Sequence, residues 1–565
     1  MEIIMTYLYI FRRLAILIVT GTLLLVGCGF FQQSSSPNTS APNNQAEQPA
    51  TESTDGSNAS PPAADNQAAL ANPEGEPSTA NTQQAGPALI LVQDRVTTLD
   101  PYKMVTIHPE GSVASHLWDT LTLLNDNLEV EPHLAEEWQL VNNLTWELQL
   151  RTGINFHNGE PVNAEAVRFS IDRAQSLPGS LETFANDVYL DKVEIVDEYT
   201  LRLHTHQPVV NLPYQLAFLE ILPPNYYTNT DSDQLAIAPV GSGPYQLRGE
   251  WAQGQALTLD AVDTYWKGSP SLPRLVFNTI ALPEERLAAL RLEEAALVTD
   301  LPPLPADQWD LPGSRLEAIE STQRMFIGIR IEEGSPLADK RVRQALNYGV
   351  NVDQIVDEWL EGYAEPYGGW VNTQVNNSDL APWPYDPDRA RELLVEAGYS
   401  EGFTTTLRTP VGIYHNDAAV AEAVARQLAE LNIVVSVDAI SNWGVFTRQL
   451  LNDDTAPLFL LGLNSRGDAL EDISYLSPDF PFNPGGWRNN SFEQVLERAT
   501  NTINDSSRNR LLVEAQTIAH EEAPLIWLWK PYDFYGISET LDWMPRPDGL
   551  VNLYKPVIPP AEGNE

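Results

Sequence analysis

One cysteine, Cys28, stands at the end of the most strongly apolar run in this chain of 565 residues. The run, residues 14–26, follows Arg12 and Arg13 and is too short to be a comfortable membrane span. A charged start, a short apolar core and small residues before the cysteine predict an export signal over residues 1–27. Any domain that follows must therefore fold without disulfides, Cys-based zinc sites or thiol nucleophiles.

The segment Leu-Val-Gly-Cys that ends at Cys28 resembles the lipobox of bacterial lipoproteins. In that motif the cysteine is acylated and becomes the first residue of the mature protein. The resemblance therefore implies a lipid attached to Cys28. An ordinary signal peptide, or a short anchor helix with an incidental cysteine, is the alternative interpretation.

The segment from 28 to 87 is rich in Ser, Thr, Asn, Gln, Ala, Pro and Gly, and residues 29–87 contain no Lys or Arg. Such a composition cannot bury enough apolar surface to offset the conformational entropy of ordering, so we predict a disordered tether. As a flexible coil it would span roughly 40 Å from end to end. That reach suits a leash between a lipid anchor and a folded body.

The rest of the chain, from residue 88 onward, is long enough for two or three domains. With 77 acidic and 33 basic residues the formal net charge is −44, which argues against nucleic-acid binding through phosphate neutralisation. The acidity is more simply a solubility property of an exported protein. No second apolar run has the length of a membrane span.

Strand-like and helix-like segments alternate along this body. A first strand is predicted at 88–92, and alternating apolar and polar residues predict half-buried strands at 145–150 and 200–203. Segment 404–440 has the pattern of a strand, a helix capped by Asp417 and a second strand. Strand, helix and strand in so short a stretch form a βαβ crossover, which implies parallel pairing and an α/β fold class.

Two further helices have clear start signals. Asp386 followed by proline is typical of an N-cap and first turn, and the apolar residues that follow recur at helical spacing until Gly398. Another helix is predicted to begin at Asp339. These signals alone indicate an exported α/β protein with several domains.

A series of short segments in a fixed order is more specific. They are PHLAEEW at 132–138, TWELQLR at 145–151, GINFHNGEPV at 153–162, AEAV at 164–167, PVGSGPY at 239–245, YWKG at 265–268, RVRQALNY at 341–348, YDP at 385–387 with AGY at 397–399, and EAPLI at 522–526. This series resembles the extracellular solute-binding proteins of the peptide/nickel family (family 5), which serve ABC importers. The resemblance covers residues 88–555.

The resemblance implies a two-lobed α/β fold of the periplasmic-binding-protein type (type II), with a hinge between the lobes and the additional domain of the peptide-binding subclass. It places lobe I at 88–120, 240–322 and 522–556, the additional domain at 121–239, and lobe II at 323–521. The βαβ unit falls inside the predicted lobe II.

The implied function is capture of a peptide-like solute between the lobes and its delivery to ABC permease subunits in the membrane. The ligand contacts both lobes only when they close, so it stabilises the closed state by its differential affinity. No bond in the ligand need change, so no enzyme activity, cofactor or metal is expected. With the predicted lipid anchor, the resemblance implies a monomer at the outer face of the cytoplasmic membrane.

In peptide-binding relatives an aspartate of lobe II pairs with the α-amino group of the ligand. The matching segment here is 461–472, which makes Asp468 the first candidate and Asp472 the second. Arg466 in the same segment and Arg488 could hold a ligand carboxylate with a bidentate fork. An aspartate on a surface loop, and arginines paired with the many acids of this chain, are the alternatives.

Three tryptophans, Trp118, Trp443 and Trp487, lie near motifs that line the cleft in relatives. Each is therefore a candidate for ligand contact. Buried aromatic residues more often belong to a hydrophobic core, which is the alternative for all three.

A secreted hydrolase is the main rival to a receptor. The one Gly-x-Ser-x-Gly sequence, at 398–402, lies between a predicted helix and a predicted strand, which is the reverse of the strand-to-helix elbow of hydrolases, and there is no Gly-rich phosphate loop. His204 and His206 could share one face of a strand and bind a metal, although no third ligand is evident. Among receptors, an oligopeptide, a dipeptide, a nickel complex, an oligosaccharide and an antibiotic-like compound stay open as ligands, with peptides ranked first.

Overall fold

The computed structural model describes most of the chain after residue 88: residues 89–93, 96–104, 110–177, 190–304, 311–371, 380–451, 456–465, 467–478, 480, 483 and 485–557. The predicted export signal, Cys28, the predicted tether and Arg466 lie outside these residues. No helix in this part of the chain combines the length and the apolar character needed to cross a membrane.

The secondary structure of the described residues alternates between strands and helices. The strands are β1 (Leu89–Gln93), β2 (Thr122–Leu124), β3 (Val130–Pro132), β4 (Ala135–Asn142), β5 (Thr145–Leu150), β6 (Leu190–Ile195), β7 (Thr200–Thr205), β8 (Tyr245–Leu247), β9 (Leu257–Ala261), β10 (Arg274–Thr279), β11 (Leu297–Leu301), β12 (Ser314–Glu320), β13 (Gln323–Ile329), β14 (Ala364–Pro366), β15 (Phe403–Pro410), β16 (Ile433–Ile440), β17 (Leu458–Asn464), β18 (Leu525–Trp527) and β19 (Trp529–Ser538). The α-helices are α1 (Ser112–Leu117), α2 (Ala164–Ser176), α3 (Leu212–Gln215), α4 (Pro224–Asn229), α5 (Ser232–Leu235), α6 (Pro283–Arg291), α7 (Lys340–Gly349), α8 (Val352–Trp359), α9 (Pro387–Glu396), α10 (Asp417–Ala429), α11 (Trp443–Leu451), α12 (Ala469–Ser474), α13 (Asn490–Thr500) and α14 (Asp505–Glu522).

The first sheet has the strand order β12-β19-β11-β1-β10-β9-β8, with β14 added to β19. Strand β1 runs parallel to its neighbours β10 and β11, whereas the other pairs are antiparallel. The predicted first strand at 88–92 is confirmed as β1 and lies in the middle of this sheet. Strands far apart in sequence thus share one sheet.

The second sheet has the order β16-β15-β17-β13-β18. Strand β15 runs parallel to β16 and β17, and α10 connects β15 to β16, so the predicted βαβ crossover at 404–440 is confirmed. The helices predicted at Asp386 and Asp339 are also present, as α9 and α7. Each aspartate accepts a hydrogen bond of 2.9 Å from a first-turn amide, as an N-cap does.

A third, antiparallel sheet of order β4-β5-β7-β6 and the hairpin β2–β3 lie within the predicted additional domain. Strands β5 and β7 confirm the predicted strands at 145–150 and 200–203. Leu148, Leu150, Leu201 and Leu203 are buried on one face, which explains the alternation of apolar and polar residues there.

One predicted boundary moves. Residues 522–556 were assigned to lobe I, but β18 pairs with β13 and therefore belongs to the second sheet. The chain passes to the first sheet only at β19, which begins two residues after β18 ends. The other domain limits stay predictions.

Two of the family motifs, RVRQALNY and EAPLI, meet in the structure. Arg343 is 3% exposed and donates to four backbone carbonyl groups, on residues 337–338 and 522–523, at 2.8–3.2 Å. Asn347, one turn later, donates to Leu525 O at 2.9 Å and accepts from Trp527 N at 3.0 Å. These side chains fix α7 against the segment that leads into β18.

The motifs PHLAEEW and YWKG meet at Asp119, which is 1% exposed. Its carboxylate accepts from Tyr265 Oη at 2.7 Å and Trp266 Nε1 at 3.1 Å, and His133 Nε2 lies 3.4 Å away. Burial raises the pKa of Asp119 to about 6 and lowers the pKa of His133 to about 3. The imidazole is therefore neutral near pH 7, and this motif pair joins lobe I to the additional domain by buried polar contacts.

We expect Arg343→Met to lower the free energy of unfolding by about 2–4 kcal/mol, because several buried carbonyl groups would lose their donor. Arg341→Met, in the same helix but on its exposed side, is the matched control and should change the free energy of unfolding much less, because exposed ion pairs contribute little. Urea denaturation of both variants, followed by tryptophan fluorescence, measures the difference. Equal losses would contradict a structural role specific to Arg343.

Candidate functional site

The parallel strands β15, β17 and β16 of the second sheet end at one edge, at Pro410, Asn464 and Ile440. Strand β13 starts at this same edge, because Gln323 pairs with Asn464 in antiparallel register. In α/β proteins, ligands bind in the crevice outside the carboxyl ends of such strands. The loops after β15, β16 and β17 are therefore the candidate binding face of lobe II.

The first sheet presents an equivalent edge. Its parallel strands β1, β10 and β11 end at Gln93, Thr279 and Leu301, and β12 runs in the same direction because β11 and β12 both pair antiparallel with β19. Only Ser321 and Thr322 separate the end of β12 from the start of β13. The carboxyl edges of both sheets therefore adjoin, and we define the space between them as the cleft.

Backbone hydrogen bonds fix this junction. Ser321 N donates to Pro531 O and Thr322 N donates to Pro547 O, both at 2.9 Å. Ser465 N, just after β17, donates to Thr322 O at 3.1 Å. The loop after β17 is thus tied to the hinge itself.

The loop after β15, residues 411–416, is held in place by one carboxylate. Asp417 is 4% exposed and accepts from the backbone N–H groups of residues 412–414 and 418 at 2.8–3.2 Å. The predicted N-cap role of Asp417 is therefore wrong: it is the first residue of α10, and Asn416 occupies the cap position without a side-chain cap bond. The carboxylate instead orders the loop in front of the helix.

This ordered loop exposes apolar side chains. Val411 is 39%, Ile413 43% and Trp443, at the start of α11, 38% exposed. Trp443 stacks on Phe446 with ring centroids 5.3 Å apart and meets Tyr414 edge-on at 6.5 Å. Apolar surface that is held rigid and left open to solvent is typical of a binding site. Of the three predicted tryptophans, Trp443 is the one at this edge.

His415 shows that the same loop faces lobe I. Its ring lies edge-on to Phe534 of β19, with centroids 6.4 Å apart. Burial lowers the pKa of His415, and the negative charges of Asp300, on β11, and Asp417 oppose that shift. The imidazole is therefore a half-buried, neutral group between the lobes.

Asp468 caps α12, with the Glu471 amide donating to its Oδ1 at 2.8 Å. Burial raises the pKa of Asp468, while the Glu471 amide, the Arg508 charge and a hydrogen bond from the side chain of Asn211 oppose the increase. Asn211 lies in the predicted additional domain. The first-choice carboxylate is therefore half-buried at the carboxyl edge of the second sheet.

Asp472 has a different position. It is 1% exposed, accepts from Ser465 Oγ at 2.7 Å, and lies 3.9 Å from Arg324 Nη2. Its backbone oxygen accepts from Trp370 Nε1 at 2.5 Å. The structure thus places Asp472 inside lobe II, below the loop that contains Asp468, and Arg466 between them lies outside the described residues.

Two of the other predicted contact residues, Trp118 and Trp487, are buried in the hydrophobic interior. Trp118 is 2% exposed, belongs to a hydrophobic core, and donates to Val240 O at 3.2 Å. Trp487 is 3% exposed, packs on Phe492 and borders a cavity of about 20 Å³, roughly room for one water molecule. Arg488 is exposed and forms no ion pair with another described residue.

No sequence motif marks the loop at 411–416 as a binding loop. Its position directly after the first strand of the βαβ unit was the available signal, because that is where α/β proteins place their binding loops. Its contacts with β19 could not be found from local pattern.

The two histidines considered as a metal pair have acidic partners instead. His204 Nε2 lies 2.8 Å from Glu194, and His206 Nε2 lies 3.8 Å from Asp191. Within the described ranges, no group of three or more His, Cys, Asp or Glu side chains is placed to hold a metal ion.

Comparison with known proteins agrees with this geometry. Residues 129–481 match the family model described as "Bacterial extracellular solute-binding proteins, family 5 Middle". The glutathione-binding protein GsiB of Salmonella choleraesuis (strain SC-B67) is 30% identical over 459 residues, which cover 78% of this chain and 88% of that protein. GsiB of Escherichia coli (strain K12) is 29% identical over 460 residues, with the same coverage.

Solved structures show the same architecture. HbpA2 from Haemophilus parasuis superposes with a TM-score of 0.72 at 22% identity, over 83% of this chain and 99% of that one. DppA from Helicobacter pylori in complex with the peptide STSA gives 0.70 at 24% identity, over 83% and 98%. NikZ from Campylobacter jejuni in complex with Ni(L-His) gives 0.69 at 21% identity, over 80% and 94%.

These structures establish the two-lobed, type II periplasmic-binding-protein fold. The family match covers more than half of the chain and includes the whole of the loop region after β15 and most of the second sheet. The chain therefore belongs to the bacterial extracellular solute-binding proteins of family 5, the receptors of ABC importers.

Proposed function

We propose that this chain is an exported lipoprotein that captures a peptide-like solute between its lobes and delivers it to an ABC permease. The meeting of two carboxyl strand edges at one short hinge carries this proposal, in a chain of family 5. A ligand in the cleft touches loops of both lobes, so its binding free energy favours the closed state. The receptor is a monomer, and the ligand leaves it chemically unchanged.

A peptide fits the face of the cleft better than the other ligands do. Val411, Ile413 and Trp443 offer an apolar surface for side chains, while Asp468 offers a carboxylate for an amine. Relatives carry the names of a glutathione-binding protein and of a peptide complex, which supports the same class. A nickel complex or an oligosaccharide is the second candidate, and the likeness to NikZ supports the nickel complex. A secreted hydrolase is the less favoured alternative.

Native mass spectrometry of the full-length protein as purified is expected to show a bound species with the mass of a short peptide. Adding glutathione or the peptide Ser-Thr-Ser-Ala should give a 1:1 complex for the preferred class of ligand. The peptide should be recovered intact after prolonged incubation. Multiple-turnover cleavage would support the hydrolase, and saturable binding of a sugar but no peptide would change the ligand class.

We propose Asp468 as the group that pairs with the ligand amine, with Arg488 and the undescribed Arg466 as candidates for its carboxylate. Asp472 is a second candidate by sequence, but its Arg324 and Ser465 contacts support an internal role. For Trp118 and Trp487, burial supports packing, whereas the exposure of Trp443 supports ligand contact.

Asp468→Asn tests the amine pairing, because asparagine preserves the N-cap of α12 while removing the charge. We expect the affinity for a peptide with a free amino group to fall about tenfold or more, as a charge-assisted bond becomes a neutral one. Binding of the N-acetylated peptide should change little. Calorimetric titration of both peptides measures these affinities. An equal loss of affinity for both peptides would show that Asp468 does not pair with the ligand amine.

Cys28→Ala tests the anchor. With the thiol removed, no lipid can be attached, so the protein should move from the membrane fraction to the soluble fraction and lose the mass of the acyl groups. Gly29→Ala, which keeps the cysteine, is the matched control. Unchanged fractionation and mass in the Cys28→Ala variant would contradict lipidation.

A further inference from the structure

The tip of the hairpin β2–β3 holds a leucine in an unusual backbone conformation. Leu128 has a φ of +62°, in the left-handed region, which costs conformational free energy for any residue with a Cβ. The turn is closed by Asn125, whose backbone oxygen accepts from Leu128 N at 2.9 Å and whose side chain accepts from the amides of Asn127 and Glu129 at 2.9 Å. Strain of this kind concentrates at clamps and switches, where the surroundings maintain it.

The strained leucine belongs to the hairpin, and its side chain approaches the loop after β17 in the second lobe. Gly467, after β17, has a φ of +94°, and a Cβ built on it would lie 3.4 Å from Leu128 Cβ and 3.6 Å from Leu128 Cδ1. Gly467 N donates to Ser465 Oγ at 3.0 Å, and Ser465 is in turn bonded to Thr322 of the hinge. The side chain of Leu128 therefore packs on backbone that belongs to the binding face.

A buried arginine ties the same end of the hairpin to the segment that follows β19. Arg546 is 6% exposed and donates from Nη1 to Leu124 O at 3.0 Å, with Asp126 Oδ1 at 3.6 Å. Its Nε and Nη2 bind the carboxylate of Asp548 at 3.0 and 2.8 Å. Pro547, between these two residues, accepts the hinge bond from Thr322 N. The hairpin is thus a rigid arm of the first side of the cleft.

We propose that Leu128 is a positioning residue that holds the closed cleft shut, so that it sets how long a captured solute stays bound. This inference rests on the proposed capture by closure. In this proposal the contact between the hairpin arm and the loop after β17 belongs to the closed state and is lost on opening. Its removal should speed release and leave the first encounter with the ligand unchanged.

The contact itself can be tested without a ligand. In a Cys28→Ser background, the pair Leu128→Cys and Gly467→Cys places two Cβ atoms about as close as those of a disulfide, whose usual spacing is about 3.5–4.5 Å. We expect a disulfide on mild oxidation, seen as the loss of both free thiols and a shift in non-reducing gel mobility. Each single-cysteine variant is a control. Two thiols that stay reduced would overturn the contact.

The kinetic role is tested with Leu128→Gly, which relieves the strain and removes the side chain. We expect its dissociation rate constant for the peptide Ser-Thr-Ser-Ala, or for glutathione, to rise about fivefold while the association rate constant stays within about twofold. Glu293→Gly relieves a comparable φ of +56° away from this contact and is the matched control.

Thermal unfolding of the same variants separates the two roles of Leu128. A purely structural leucine would change the unfolding midpoint and leave dissociation unchanged, which would overturn the proposal. Failure of wild-type protein to bind any peptide would instead defeat the proposed ligand class, and the disulfide yield would still decide whether the arm and the loop meet. An unchanged dissociation rate in Leu128→Gly, with the disulfide formed, would reduce the contact to packing alone.

Discussion

The two large sheets depend on a small set of backbone hydrogen bonds at their shared edge. Ser321 and Thr322 each donate to a residue that follows β18, and Ser465 donates back to Thr322. Bonds between backbone groups need no particular side chain, so they can hold this geometry through large changes of sequence. They fix the place where the carboxyl ends of both sets of strands meet, and so they determine where a ligand can touch both lobes at once.

Each lobe has its own hydrophobic core on either side of that junction, so each can move as a rigid body. The family motifs mostly serve this rigidity. Arg343 fixes α7 to the crossing segment, and Asp119 joins Tyr265, Trp266 and His133 in one buried polar group. Rigid lobes joined by short crossing segments, at residues 321–322 and 528, allow closure at little cost within either core. A bound solute can then shift the balance between open and closed forms.

The fold could be anticipated wherever the pattern is local. The βαβ unit at 404–440 and the helix that starts at Asp386 follow from apolar spacing and capping residues, and both are present. Asp417 was misjudged because a carboxylate beside a helix start can serve the loop before it as well as the helix after it. Trp118 and Trp487 show a second limit of sequence-based prediction. The sequence shows that an aromatic residue stands at each position, but only the folded chain shows that both side chains are buried.

The site depends on contacts between distant segments, which no local pattern encodes. Leu128 and Gly467 meet because two elements far apart in sequence fold onto opposite sides of one hinge. The family resemblance supplied the segment around Asp468, but the N-cap bond of that residue became visible only in three dimensions.

Small-angle X-ray scattering of the full-length protein, with and without saturating peptide, tests capture by closure most directly. The account predicts a smaller radius of gyration in the presence of an intact, stoichiometrically bound peptide, and a return to the original value when the peptide is removed. Superimposable scattering curves at demonstrated saturation would contradict it.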